Sequence, residues 1–226
     1  MKSGGNATLL IGEIGETFRI CGDPDWRVWA EAKSDSFARG VGLEVRKPLP
    51  RCPAIYERKR DWRTYEESLT NAVPQSKGNY LSVNPAVEAI GAQFKAEEDE
   101  GMMVEISEAE AKQRYVDNEL NIAALAALRK TEDSYRVIHD GTHGVLINPH
   151  VIMRNQMRCT GVPEQRQVMR YFKDKGTSVF ALKGDVSKAH RRVAILEEDW
   201  GMQACRLDEH RVWLNTVGTF GIGSAA

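Results

Sequence analysis

One acid, Asp185, stands among groups of the opposite sign. In VFALKGDVSKAHRRV, residues 179–193, an apolar run from Val179 to Leu182 leads to that carboxylate, and Lys188, His190, Arg191 and Arg192 lie just beyond it. A carboxylate at the end of a buried strand can hold a hard cation such as Mg2+, provided substrate phosphates or a second acid share the ion. Nearby Lys and Arg side chains would neutralise a nucleoside triphosphate. The competing reading is a helix N-cap, for which Asp is a favoured residue.

Other reactive side chains point to less. His139, His143 and His150 invite a metal reading, but a His pair four residues apart ligates from one face only on a helix. This stretch, YRVIHDGTHGVLIN, reads as strand and turn, so no zinc site is expected. Cys21, Cys52, Cys159 and Cys205 are widely separated and form no C-x-x-C pair, which argues against a disulfide framework. Trp26, Trp29, Trp62 and Trp200 are expected to pack rather than to stack on bases.

The 226 residues are 42% hydrophobic and 28% charged, as in an ordinary globular protein. No apolar run approaches the roughly 20 residues of a membrane helix, and the start, MKSGGNATLL, has no secretory pattern. The expected compartment is the cytoplasm or nucleus, with no membrane partner. A net charge of -1 hides an asymmetry. Residues 97–119 hold nine acids and two bases, whereas 151–192 hold ten bases and three acids. That basic excess is a candidate footprint for a phosphate backbone, or simply a solvated surface.

The elements that would position these groups read as α+β. Residues 1–75 carry little periodicity and read as an extension or connector. A helix is expected from Asn84 as N-cap and Pro85 as first residue, with Val87, Ile90, Gly91 and Phe94 on one face. Ser107-x-x-Glu110 reads as a capping box opening a second helix. LNIAALAALRKTEDSYRVIHDG has a turn cluster between apolar arms and reads as a β-hairpin. Pro163 starts a helix with Val168, Met169 and Phe172 on its apolar side, ended by Gly176. A strand over 178–184 and a strand in RVWLNTVGTF running into a Gly-rich turn complete the list.

Taken in order, these blocks resemble reverse transcriptases (RNA-directed DNA polymerases) of retrotransposon type. SYRVIHDGTHGVLIN is similar to their fingers segment, and the Pro163 helix stands where they carry a Pro-initiated helix. FALKGDVSKAHRRV resembles the first polymerase motif. VGTFGIGSAA resembles the second, Pro-Phe-Gly-Leu-x-x-Ala-Pro, through Phe220, Gly221, Ile222 and Ala225. The resemblance covers residues 85–226. It implies an N-terminal extension over 1–75, a fingers region over 76–177, and the start of a palm over 178–226: a partial right-hand polymerase.

The resemblance also implies roles. Asp185, with the Val186 carbonyl, would bind catalytic Mg2+, two ions in the complete enzyme. Arg136 would contact the incoming deoxynucleoside triphosphate, with Lys130 as its basic companion. His190 would lie under the sugar, and Phe220 and Gly221 would line the nucleotide pocket. Arg154, Arg158, Lys188 and Arg191 would touch phosphates of an RNA or DNA template-primer. The chain departs from the pattern at several positions. Thr142 stands where Arg is frequent, and Asn148 lies three residues further from Asp140 than usual. Thr219 and Ala226 stand where Pro is usual, and His190 where Tyr or Phe is usual. The chain contains no Tyr-x-Asp-Asp segment and no Asp-Asp pair. The implied activity is template-directed DNA synthesis by two-metal phosphoryl transfer in a complete enzyme. The alternative is a non-catalytic nucleic-acid-binding remnant. A viral RNA-dependent RNA polymerase is disfavoured, since VGTFGIGSAA lacks that group's Ser-Gly…Thr…Asn pattern.

Overall fold

The computed structural model describes residues 10–24, 26–30, 37, 39–45, 57–58, 78–116, 119–132, 134–145, 147–151, 155–156, 160–180 and 183–223. In chain order the elements are α1 (Ile11–Ile20), α2 (Trp26–Ala30), β1 (Glu57–Arg58), a 3-10 helix (Leu81–Ala86), α3 (Val87–Asp99), β2 (Met103–Ser107) and α4 (Glu108–Arg114). There follow β3 (Ile122–Arg129), β4 (Tyr135–Asp140), α5 (Ile147–His150), β5 (Asn155–Gln156), α6 (Val162–Asp174), two 3-10 helices (Ala189–Arg192 and Glu197–Gln203), β6 (Ala204–Cys205) and β7 (Arg211–Asn215). The fold is α+β, as the alternation of signals indicated. The chain divides into a larger unit, Met1–Pro48 with Arg63–Ile152 and Lys188–Ala226, and a smaller one, Leu49–Trp62 with Met153–Ser187.

The larger unit is built on a five-stranded sheet in the order β2-β7-β6-β3-β4. Only the β3–β6 pairing is parallel; the others are antiparallel. The expected hairpin forms, with Arg129 opposite Tyr135 and Ala124 opposite Asp140. Ala and Leu favour helices in isolation, yet IAALAALR is a strand here. Its first four residues are all buried, and such a continuously buried segment reads as an unbroken apolar run rather than an alternating one. Burial between neighbours overrides local preference.

Both faces of the sheet are covered. On one, Val83, Ala86, Ile90 and Phe94 pack on Met103, Leu125, Ala127 and Trp213. On the other, Ala111 and Tyr115 meet Ile106, Ile122, Val212 and Leu214. A third cluster joins Leu43, Ala123, Val145, Ile147, Ile195 and Ile222. Side chains alternate along β2 and β7: Met103 and Trp213 face α3, while Val104, Ile106, Val212 and Leu214 face away.

Several expectations are adjusted. The helix at Asn84 begins earlier: Asn84 and Pro85 lie inside the 3-10 turn, which runs into α3 at Val87. Pro85 is the fifth of the six residues of that 3-10 helix and removes an N–H from it, just before the chain changes over to α3. Val87 is exposed, whereas Ile90 and Phe94 are buried. The capping reading at Ser107 holds, since its hydroxyl accepts from the Glu110 amide at 3.1 Å. The N-terminal region carries a helix, α1, that its weak periodicity did not announce. Trp29 packs as expected, edge-on to Phe18 and stacked on Phe37 at 4.6 Å.

In the smaller unit β1 and β5 pair antiparallel. α6 starts at Val162 with Pro163 in its first turn, and Glu164 accepts from the Gly161 amide at 2.9 Å. It has no buried residue, and Val168, Met169 and Phe172 are exposed. The strand expected over 178–184 is not found among the described residues there, 178–180 and 183–184. Val179 is 46% and Phe180 90% exposed. An apolar run becomes a strand only where a neighbouring backbone takes up its N–H and C=O groups, and among the described residues none pairs with 178–180 or 183–184.

Candidate nucleotide-binding surface

Of the residues assigned to a nucleotide pocket, Arg136, His190 and Phe220 come from three separate blocks and in the larger unit meet at Phe220. The Arg136 guanidinium, projecting from β4, lies over the Phe220 ring at 5.9 Å from its centroid. The His190 ring, on the 3-10 turn Ala189–Arg192, lies 5.7 Å from the same ring at an interplanar angle of 58°. Phe220 is 46% exposed and Arg136 is exposed, while His190 is half-buried. The result is an open aromatic face flanked by a fixed cation and an imidazole. Burial, and then the neighbouring Arg191 charge, hold the His190 pKa below its usual value, which favours a neutral ring.

The loop that presents Phe220 is tied to the end of the hairpin. The His139 amide donates to the Phe220 carbonyl at 3.1 Å. Gly221 adopts φ 115, and a Cβ there would sit 1.9 Å from the His139 carbonyl oxygen. Only glycine fits that approach. Asn148, on α5, donates to the Gly221 carbonyl at 2.7 Å and to Thr142 Oγ1 at 2.9 Å, and accepts from the Gly223 amide at 2.7 Å. One side chain thus links both loops.

Beside this loop Asp140 organises the turn after β4. Its carboxylate accepts from the Thr142 amide at 3.0 Å, the His143 amide at 2.9 Å and the Tyr80 hydroxyl at 2.5 Å. Burial works against its charge, but the Tyr80 hydroxyl and the two amides prevail, and its pKa falls to about 2. His139, the preceding residue, is fully enclosed, and neither ring nitrogen has a hydrogen-bond partner. Burial takes its pKa down to about 4.

Arg191 corrects an expectation. Assigned to a nucleic-acid phosphate from its basic neighbourhood, it is 5% exposed and turned inward. Its Nη1 donates to Asn215 Oδ1 at 2.6 Å and to the Gly218 carbonyl at 3.4 Å, and its Nη2 pairs with the Glu97 carboxylate. A guanidinium, with donors fixed at several angles, suits three buried acceptors better than an ammonium does. Lys188 remains half-exposed, with its Nζ 3.7 Å from Glu97 Oε1.

The remaining candidates are placed as follows. Lys130 lies in the exposed β3–β4 turn, its amide donating to the Ser134 carbonyl at 2.8 Å. In the smaller unit, Asp185 and Val186 are exposed on an irregular segment. Asp185 is therefore not at the end of a buried strand. Arg154 and Arg158 lie outside the described residues, as do Ala225 and Ala226. Among the described residues no group of three or more His, Cys, Asp or Glu side chains could hold a metal ion. No helix among them is long and apolar enough to cross a membrane.

Glu97 and Asn148 were not assigned to the site from sequence. Glu97 carried a usable signal: Ile90, Phe94 and Glu97 follow the i, i+4, i+7 spacing of one helical face. An acid on an apolar face asks for a buried cation.

No protein-family model matches the chain, and no curated protein matches it. Among solved structures, a foamy viral protease-reverse transcriptase in complex with double-stranded DNA is similar at a TM-score of 0.46 and 13% identity. The match covers 68% of this chain, which spans 24% of that one.

Proposed function

We propose that this chain supplies the fingers and first palm elements of a reverse-transcriptase-type polymerase, and that the Arg136–Phe220–His190 surface receives a deoxynucleoside triphosphate. The observation that carries the reading is the convergence on Phe220 of two side chains, Arg136 and His190, from distant blocks. Arg136 would neutralise phosphate charge, as an exposed guanidinium suits. The Phe220 ring and the Gly221 backbone would line base and sugar, and His190 would lie beneath the ribose. Lys130, Lys188, Arg154 and Arg158 are assigned to triphosphate or template-primer phosphates, and Arg191 is not.

Mg2+ chemistry needs more than the described residues bring together. Asp185, with the Val186 carbonyl, offers one side-chain carboxylate, and a two-ion site requires several. No catalytic step is therefore assigned to it. A second reading, nucleic-acid binding without catalysis, is favoured by the exposed irregular segment that carries Asp185. Primer extension by a longer form of the protein, with Asp185→Ala as control, separates the two: extension lost on substitution supports the enzyme.

The nucleotide reading is tested with a fluorescent deoxyadenosine triphosphate and the chain as it stands. Arg136→Ala and Phe220→Ala should each weaken binding by about tenfold, the scale of one charge-assisted contact or one stacking platform. Equal affinity in both variants and the parent overturns it.

A further inference from the structure

We propose that Glu97 and Arg191 form a buried anchor that positions the His190–Phe220 face, so that a carboxylate on α3 sets the geometry of a surface built by other elements. For its ligand this rests on the nucleotide-pocket reading; for its geometry it does not. Three observations converge. Arg191 is the neighbour of His190 on the same 3-10 turn, and its guanidinium spans Glu97, Asn215 Oδ1 and the Gly218 carbonyl, two residues before Phe220. The turn enters through Lys188, held at φ 50, whose ammonium lies 3.7 Å from the other Glu97 oxygen. Glu97 itself is 6% exposed and is fixed from its own helix by Gln93, whose amide donates to Oε1 at 3.2 Å.

Both partners of the Phe220–His190 ring contact are thus tied to one carboxylate. His190 is held through the backbone of its turn, and Phe220 through the loop that begins at Gly218. Glu97 and Arg191 are positioning residues; besides orienting the turn they act on the His190 charge in opposite senses, so the ring shift is read at a pH where the His190 ring is neutral in every variant. A guanidinium reaches three acceptors at fixed angles, whereas a lysine ammonium at position 191 would satisfy Glu97 and forfeit the others.

The test has two independent readouts. The first is the proton NMR shift of the His190 ring, which Phe220 displaces by its ring current; Phe220→Leu defines the value without it. The second is the affinity for the fluorescent deoxyadenosine triphosphate. Two variants are compared with the parent: Arg191→Lys, and the double change Glu97→Leu with Arg191→Met. The double change replaces a buried ion pair by apolar groups of similar size, a substitution that folds tolerate. If the pair is an anchor, both variants lose at least half of the Phe220-dependent shift, and affinity falls about tenfold or more, as small misplacements do. A full shift in either folded variant overturns the anchor, even where melting temperature falls, because that outcome is stability without positioning. If the shift collapses in the variants while the parent itself binds no nucleotide, the anchor stands and the nucleotide reading fails.

Discussion

The backbone of Gly221 passes so close to His139 that a Cβ on Gly221 would lie 1.9 Å from the His139 carbonyl oxygen. The residue also holds φ 115, a conformation that L side chains rarely adopt. Gly221→Ala should therefore cost on the order of 2–3 kcal/mol, from backbone strain and a clash with backbone that cannot rotate away. Urea denaturation of the two proteins measures it. A cost below about 0.5 kcal/mol, the range of ordinary surface changes, would mean that the loop does not hold this approach.

Asn148 should prove more demanding than its position in a short helix suggests. It donates to Gly221 and Thr142 and accepts from Gly223. Asn148→Ala leaves partly buried groups without partners, at about 1–3 kcal/mol. Asn148→Asp keeps the acceptor for Gly223 but sets a carboxylate against the Gly221 carbonyl. It should be no better than the alanine variant. Recovery to parent stability by Asp would show that only the Gly223 hydrogen bond matters.

Stability should fall on mild acidification. The folded-state pKa of His139 is about 4, below the ordinary histidine value of 6.5, so the unfolded chain binds more protons between those limits. The contribution is fully present above pH 6.5 and is lost as pH falls towards 4. The complete loss amounts to about 3 kcal/mol. His190 is displaced in the same direction and adds to the slope. Asp140 acts lower: its pKa, depressed to about 2 from 3.8, removes stability only as pH falls through that interval. Chemical denaturation from pH 7 to 4.5 checks the sign, and His139→Leu should flatten most of the curve. An unchanged slope in that variant would place the titration elsewhere.

Nucleic-acid binding should depend on salt through α6. Arg166, Arg170, Lys173 and Lys175 are all exposed along and just beyond this helix. For every phosphate that a substitution leaves without its cation, the slope of log affinity against log salt should become shallower by about 0.7–0.9. Changing all four to Ala and titrating a labelled single strand at several salt concentrations measures this. An identical slope would mark the basic excess as solvated surface.

How legible this was in the sequence differs residue by residue. The hairpin, the Ser107 cap, α6 and β7 were readable because each is fixed by neighbours in the chain: a turn cluster, a cap spacing, an N-terminal proline, a short apolar run before a Gly-rich turn. The Arg136, His190 and Phe220 grouping was reached by resemblance, since no local rule joins residues so far apart. The 178–184 segment failed because an apolar run carries no information about whether a partner strand exists. Arg191 failed for a similar reason. Basic residues in a row read as solvent-facing, and the carboxylate that draws this one inward lies 94 positions away.

The sheet order carries a consequence for how the larger unit is made. β7 lies between β2 and β6, and among the described residues β2 has no other strand beside it in the sheet. Met103 pairs with Asn215 and Ser107 with Arg211, so β2 must wait for almost all of the intervening chain before it can be zipped in. The β3–β4 hairpin, by contrast, closes over a short turn. During synthesis the hairpin is available early, while β2 stays an unprotected edge until β7 arrives, and such pairings at large sequence separation are slow. Folding of this unit should therefore be limited by β7 capture, leaving a window in which β2 is the segment most open to chaperones or to self-association.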